Sequence, residues 1–200
     1  FTRLLGKLSE LTDRGIPVHF FGGNHDIWTY RYLHDECGVT LYHSPYTEFE
    51  LDGRKVIVGH GDMLGPRPAG QRILSAIFRS RLLQWLFSML HPYWAMMLGK
   101  GWSRSNRTSR PVAHIFRGEE EPIIGFAHEY QRTHPSAPAD LFICGHTHCA
   151  EVYPLPEGGA VAFLGEWIDN PLYGVLGPGG FELKGYPDRA VIGKSGTTRQ

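Results

Sequence analysis

Apolar residues recur at helical spacing at Leu4, Leu5, Leu8 and Leu11 and stop at Gly15, which predicts a helix that ends there. The pattern then changes. Short β-branched and aromatic runs at residues 17–21, 55–58 and 140–144 have the character of buried strands, each closed by a glycine-containing polar turn. Between the first two, residues 28–36 predict a helix stopped by Gly38, and residues 47–51 alternate before the Asp52-Gly53 hairpin signal, so 47–51 and 55–58 pair. Further on, residues 118–134 predict another helix. Two more hairpins follow, 150–153 with 160–163 around Pro-Glu-Gly-Gly and 173–176 with 181–183 around Gly-Pro-Gly-Gly, and these are expected to close a second sheet. From Asp188 onwards the chain is polar and is expected to form a flexible tail over 188–200.

The middle of the chain breaks this α/β rhythm. After a Pro and Gly cluster at 65–70, Ile73, Leu74, Ile77, Phe78, Leu82, Leu83, Leu86, Phe87 and Leu90 form a helical apolar stripe that runs to Pro92. A second apolar stretch, 93–98, leads into residues 100–110, where Lys100, Arg104, Arg107 and Arg110 stand among hydroxyl residues including Ser103. Such a mixture holds phosphate by charge-assisted and bidentate hydrogen bonds, although a solvated loop has the same composition. Its position beside greasy helices favours a lid, about residues 66–112, that binds a charged group next to apolar chains.

Composition narrows the class. The chain has 200 residues with 42% hydrophobic content, enough for one sizeable core and a single domain with an insertion, over residues 1–187. Lys plus Arg and Asp plus Glu are 20 each, so overall charge steers nothing towards nucleic acid. Cys37, Cys144 and Cys149 form no regular framework, which points to reduced thiols in a cytoplasmic protein. No apolar run reaches the roughly 20 residues that a spanning helix needs.

The candidate chemistry lies in the turns after the strands: Gly23-Asn24-His25-Asp26, Gly59-His60-Gly61-Asp62 and Gly145-His146-Thr147-His148. In open α/β sheets ligands collect at the carboxyl ends of strands, so all three elements are expected at one rim. One amide oxygen and three imidazoles suit Mn²⁺, Fe²⁺ or Zn²⁺ better than Ca²⁺ or Mg²⁺. His146 and His148, two apart, are read as pointing to opposite sides of an extended segment, each towards its own ion. A lone histidine is more often a packing residue, and Asp26 alone is more often a turn or helix cap. Three such elements, each following a strand, are hard to explain by packing, because unpartnered buried imidazoles cost free energy.

In order and spacing these three motifs resemble the calcineurin-like metallophosphoesterase superfamily. The resemblance implies a four-layer α-β-β-α sandwich, with Asn24, His60 and His146 on one divalent ion and His148 on a second. It also implies that His25 acts near the leaving oxygen and is oriented by Asp26. Members begin with an Asp-x-His strand and a Gly-Asp-x-x-Asp element. Neither is present in this sequence, which opens with Phe1 inside a helical pattern, so the chain is expected to be a fragment that lacks the first strands. Within the superfamily it is most similar to the UDP-2,3-diacylglucosamine diphosphatases of lipid A synthesis, through His60-Gly61-Asp62 with Leu64-Gly65-Pro66, the stretches 84–92 and 102–104, and Leu164-Gly165-Glu166-Trp167. That likeness implies two divalent ions with manganese first, and a lipid-linked nucleotide substrate contacted by Asn24, Lys100, Ser103, Arg104 and Arg107. It further implies a cytoplasmic protein held peripherally on the inner membrane. Two other readings share the motifs: a calcineurin-like enzyme acting on another phosphoester, and a non-catalytic scaffold of the same fold.

Overall fold

The computed structural model describes residues 1–26, 29–108 and 115–195, with only the backbone over 102–108. Its centre is a five-stranded mixed sheet in the order β3-β4-β5-β7-β6. The strands are β3 (Thr47–Leu51), β4 (Arg54–Gly59), β5 (Leu141–Cys144), β6 (Ala150–Pro154) and β7 (Ala160–Leu164). β4, β5 and β7 run parallel, and an antiparallel strand flanks them on each side. Neighbouring residues on the parallel strands are buried alternately against opposite faces, which is why their sequences read as continuous apolar runs.

On one face Ile57, Phe142, Cys144, Val161 and Phe163 meet Ile123, Ile124, Ala127 and Tyr130 of helix α6 (Pro122–Thr133). On the other, Val56, Leu141, Ala160 and Ala162 meet Leu172, Phe181 and Leu183. Those three residues lie on β8 (Leu172–Gly177) and β9 (Gly180–Gly185), which form a second sheet with β10 (Val191–Ser195). The mixed α/β class read from the sequence is present, with helix, sheet and sheet stacked in that order. Helix α1 (Thr2–Asp13) packs mainly on α2 (Tyr32–Cys37), where the Thr12 hydroxyl donates to the Cys37 carbonyl at 2.7 Å. The helix expected over 28–36 starts at Tyr32, and Gly38 ends it in the left-handed conformation at φ 66°.

Several expectations change. β1 (His19–Phe21) does not join the main sheet; it pairs in parallel with β2 (Thr40–Tyr42), a strand not read from the sequence. Rings carry the junction instead: Phe21 stacks on Tyr42 at 4.6 Å, and Phe49 of β3 meets both edge-on. The β6–β7 hairpin belongs to the five-stranded sheet rather than the second one, because β7 pairs with β5. Where a flexible tail was expected, β10 pairs antiparallel with β9, and Glu182 bonds Lys184 at 2.8 Å and Lys194 at 2.7 Å. Residues 196–200 lie outside the described residues.

The apolar stripe of the insertion is two helices, α3 (Ala69–Arg79) and α4 (Arg81–Ser88), because Ser80 is extended and caps α4. The Gln84 side chain on α4 donates to the Phe78 carbonyl at 2.8 Å and holds the corner. Helix α5 (Pro92–Thr108) continues into the basic segment as far as Thr108, and Arg110 lies outside the described residues. Ile73, Leu82, Trp85, Met89, Tyr93 and Met96 are each more than half exposed on these helices.

Candidate metal centre

Three loops meet at the carboxyl ends of β1, β4 and β5. His60 follows β4, and its Nε2 stands 3.2 Å from the Asn24 amide oxygen on the loop after β1. His146, after β5, meets the His60 ring edge-on with centroids 5.3 Å apart. The Gly145 amide donates to the His60 carbonyl at 3.0 Å and ties two of the loops together. Gly23 makes the approach possible: a Cβ there would fall 2.6 Å from the His60 ring. Gly61 turns at φ 111°, where a Cβ would strike Ile123 Cδ1 at 2.8 Å.

Burial holds the His60 imidazole below the ordinary histidine value, against the opposing pull of Asp62 and Asp26. His60 is therefore held neutral, with a lone pair to offer. Asp26 turns its carboxylate back to accept from the Gly23 amide at 3.1 Å, so it shapes its own loop. His25 is exposed and close enough to influence the charge of His60.

His146 and His148 do not diverge across an extended strand. Both take left-handed backbone, at φ 63° and 58°, and both are exposed, while Thr147 and Cys149 turn inward. Thr147 Oγ1 lies 2.9 Å from Cys149 Sγ, an inward contact that fixes the turn. Burial pushes the Cys144 thiol up to about 12 and raises Cys149 as well, so both sulfurs stay protonated packing groups.

The β6–β7 ladder ends at the Ala150–Leu164 pair, and beyond it Glu166 lies close enough to His148 to feel its charge. Glu166 accepts from the amides of Ile168, Asp169 and Asn170 at 2.6–2.9 Å, and chiefly the Ile168 amide holds its carboxyl below the usual range. The sequence reading assigned Glu166 no role. It also missed Arg79, whose Nη2 donates to the Asp62 carboxylate at 3.2 Å. Of the expected lid contacts, Lys100 is exposed on α5, and the side chains of Ser103, Arg104 and Arg107 lie outside the described residues.

Two ligands on adjacent positions of one transition-metal ion, each bonded at about 2.1 Å, stand roughly 3 Å apart. The Asn24–His60 separation of 3.2 Å meets that requirement, and His146 adds a second imidazole. Among the described residues no three His, Cys, Asp or Glu side chains gather closely enough to hold an ion. The convergent donors are thus two imidazoles and an amide, which fit one ion in part.

The chain is 34% identical over 188 residues to a UDP-2,3-diacylglucosamine hydrolase of Porphyromonas gingivalis, covering 88% of this chain and 71% of that protein. The chain belongs to the UDP-2,3-diacylglucosamine hydrolase family. A hydrolase of the same name from Aeromonas hydrophila is 26% identical over 185 residues, with 86% of this chain and 70% of that protein covered. No family model matches the chain. A solved structure of an archaeal phosphodiesterase aligns at a TM-score of 0.30 and 12% identity, covering 84% of this chain, which spans 59% of that one. Family membership rests on the sequence relatives.

Proposed function

We propose that this protein hydrolyses the pyrophosphate bond of UDP-2,3-diacylglucosamine, releasing UMP and lipid X, with two divalent ions of which manganese is the first choice. The observation that carries this reading is the convergence of Asn24, His60 and His146 on one rim in a chain of the hydrolase family. Asn24, His60 and His146 hold one ion and His148 the other. When bound, the ions lower the pKa of a water and neutralise phosphate oxygens.

The protein's own groups do the rest. His60, kept neutral by burial, presents a lone pair, and the missing side chain at Gly23 lets the Asn24 carbonyl oxygen reach the same point. His25 stands free at the rim to donate towards the leaving oxygen, on a loop that Asp26 braces through the Gly23 amide. Lys100, Ser103, Arg104 and Arg107 follow the apolar turns of α5, where they contact sugar or phosphate while the greasy faces of α3 and α4 receive acyl chains. Burial of each methylene contributes about 0.8 kcal/mol, so a few of them separate a lipid from a soluble nucleotide.

Among the described residues no helix is long and apolar enough to cross a membrane. The exposed apolar helices support peripheral attachment to the cytoplasmic side of the inner membrane, where an amphiphilic substrate resides. Nucleic acid has no part in this reading.

The full-length protein incubated with UDP-2,3-diacylglucosamine and Mn²⁺, and then with chelator, tests the proposal. UMP release that the chelator stops is the expected result. Hydrolysis of a simple aryl phosphodiester without UMP release assigns the enzyme to another phosphoester, and inactivity on both substrates favours a non-catalytic scaffold.

A further inference from the structure

Asp62 lies two residues beyond His60, and its side chain is only 6% exposed. A carboxylate this buried needs a partner, because burying an unpaired charge is costly. Arg79 supplies it at 3.2 Å. Arg79 is the last residue of α3, the first helix of the lid, and among the described residues this is the one ion pair joining a lid helix to the core.

The loop that carries Asp62 is itself fixed. Gly61 has no room for a side chain against Ile123, Leu64 is buried in the core, and Gly65 has none against the backbone of Pro122. Helix α3 leaves this loop through Pro66 and Pro68 and returns to it through Arg79. Its 11 residues span about 16 Å, so a helix tied at both ends to the one short loop that carries His60 and Asp62 stays close to that loop. At the same corner Ser80 caps α4 and Gln84 holds the Phe78 carbonyl, so α4 follows α3.

We propose that the Arg79–Asp62 pair is a positioning latch that sets the apolar lid in register with the histidine rim, so that one amphiphilic substrate meets both at once. This rests on the reaction proposed above. Arg79 acts through the lid and touches no reacting atom.

The test uses the full-length protein loaded with Mn²⁺ and compares wild type with Arg79→Ala, Arg79→Lys and the double variant Arg79→Ala/Asp62→Asn, which leaves no unpaired buried carboxylate. Arg79→Ala is expected to raise KM for the diacylated substrate about tenfold, the order of one lost charge-assisted hydrogen bond, while metal content and turnover of a soluble aryl phosphodiester stay at wild-type values. Trypsin cleavage at Arg72 and Arg81 in the lid should accelerate. Lys should recover part of the KM, and the double variant should keep the defect with wild-type stability.

Equal loss on both substrates together with lost metal overturns the latch, since the pair then serves the metal loop itself. Wild-type KM and wild-type proteolysis in the double variant overturn it too. If the wild-type enzyme cleaves only the soluble diester, the substrate reading fails, and lid proteolysis alone decides the latch: faster cleavage supports it and an unchanged rate removes it.

Discussion

A methyl group on Gly23 would sit 2.6 Å from Cε1 of His60, inside any tolerable contact, and the displaced atoms would be the convergent donors themselves. Gly23→Ala must therefore push the Asn24 loop off the ring or rotate His60 away from the rim. Loss of outer-shell support for a metal ligand typically costs about 10–100-fold in metal affinity. That loss is the expected outcome in a metal titration of the purified variant, with the far-UV spectrum unchanged. Wild-type affinity would show that the glycine serves only the backbone.

His148 is close enough to feel the charge of both Glu166 and His60, while the ring contact of His60 is with His146. If it holds the second ion, His148→Ala should bind one equivalent of metal fewer and lose nearly all turnover. Turnover at the wild-type rate would remove the two-metal mechanism.

Leu83 and Leu86 are 42% and 48% exposed on α4, so polar replacements should change stability by no more than about 0.5 kcal/mol. Leu83→Ser combined with Leu86→Ser should leave turnover of a soluble phosphodiester intact and sharply reduce turnover of the diacylated substrate. Equal activity on both substrates would detach the lid from acyl recognition.

Phe142 is 1% exposed at the centre of the helix-facing core, where Phe126 and Tyr130 of α6 meet it edge-on. Phe142→Ala should cost about 3–5 kcal/mol and lower the thermal midpoint accordingly. A loss under 1 kcal/mol would mean that α6 is not seated on this face as described.

The strands of the main sheet were legible because β4 and β5 are buried on both faces, and a run such as Leu141-Phe142-Ile143-Cys144 has no other soluble home. The polar turns after them were legible for the converse reason: imidazoles and amides at strand ends have no packing purpose. Periodicity could not show which sheet a strand joins. Parallel pairing with β5 draws β7 into the main sheet, and edge-on ring contacts with Phe49 seat β1 and β2 beside it. β10 looked like tail because Val191 to Ser195 is short and half polar; its partners are Lys184 and Glu182 on β9. The Arg79–Asp62 pair joins residues 17 apart across a helix, and no local pattern announces such a meeting.

His128 on α6 places Nε2 2.8 Å from Glu119 and Nδ1 3.0 Å from Glu157, and Tyr153 donates to the other Glu119 oxygen at 2.6 Å. A carboxylate only accepts, so both ring nitrogens must carry protons, and the clasp requires the imidazolium. Burial pulls the His128 pKa down, but the hydrogen bonds it donates to Glu119 and Glu157, with their negative charge, outweigh it and leave the value raised. A group whose folded pKa is raised binds its proton more tightly in the native state, so its contribution is full below the ordinary histidine value and is lost as pH climbs through the raised one. Urea midpoints measured from about pH 6 to pH 9, a window that brackets the ordinary histidine value and its upward shift, should fall for the wild type. They should fall less steeply for His128→Gln, which keeps hydrogen-bonding capacity without titrating. Parallel slopes for the two proteins would show that the clasp contributes nothing to stability and that other groups set the pH dependence.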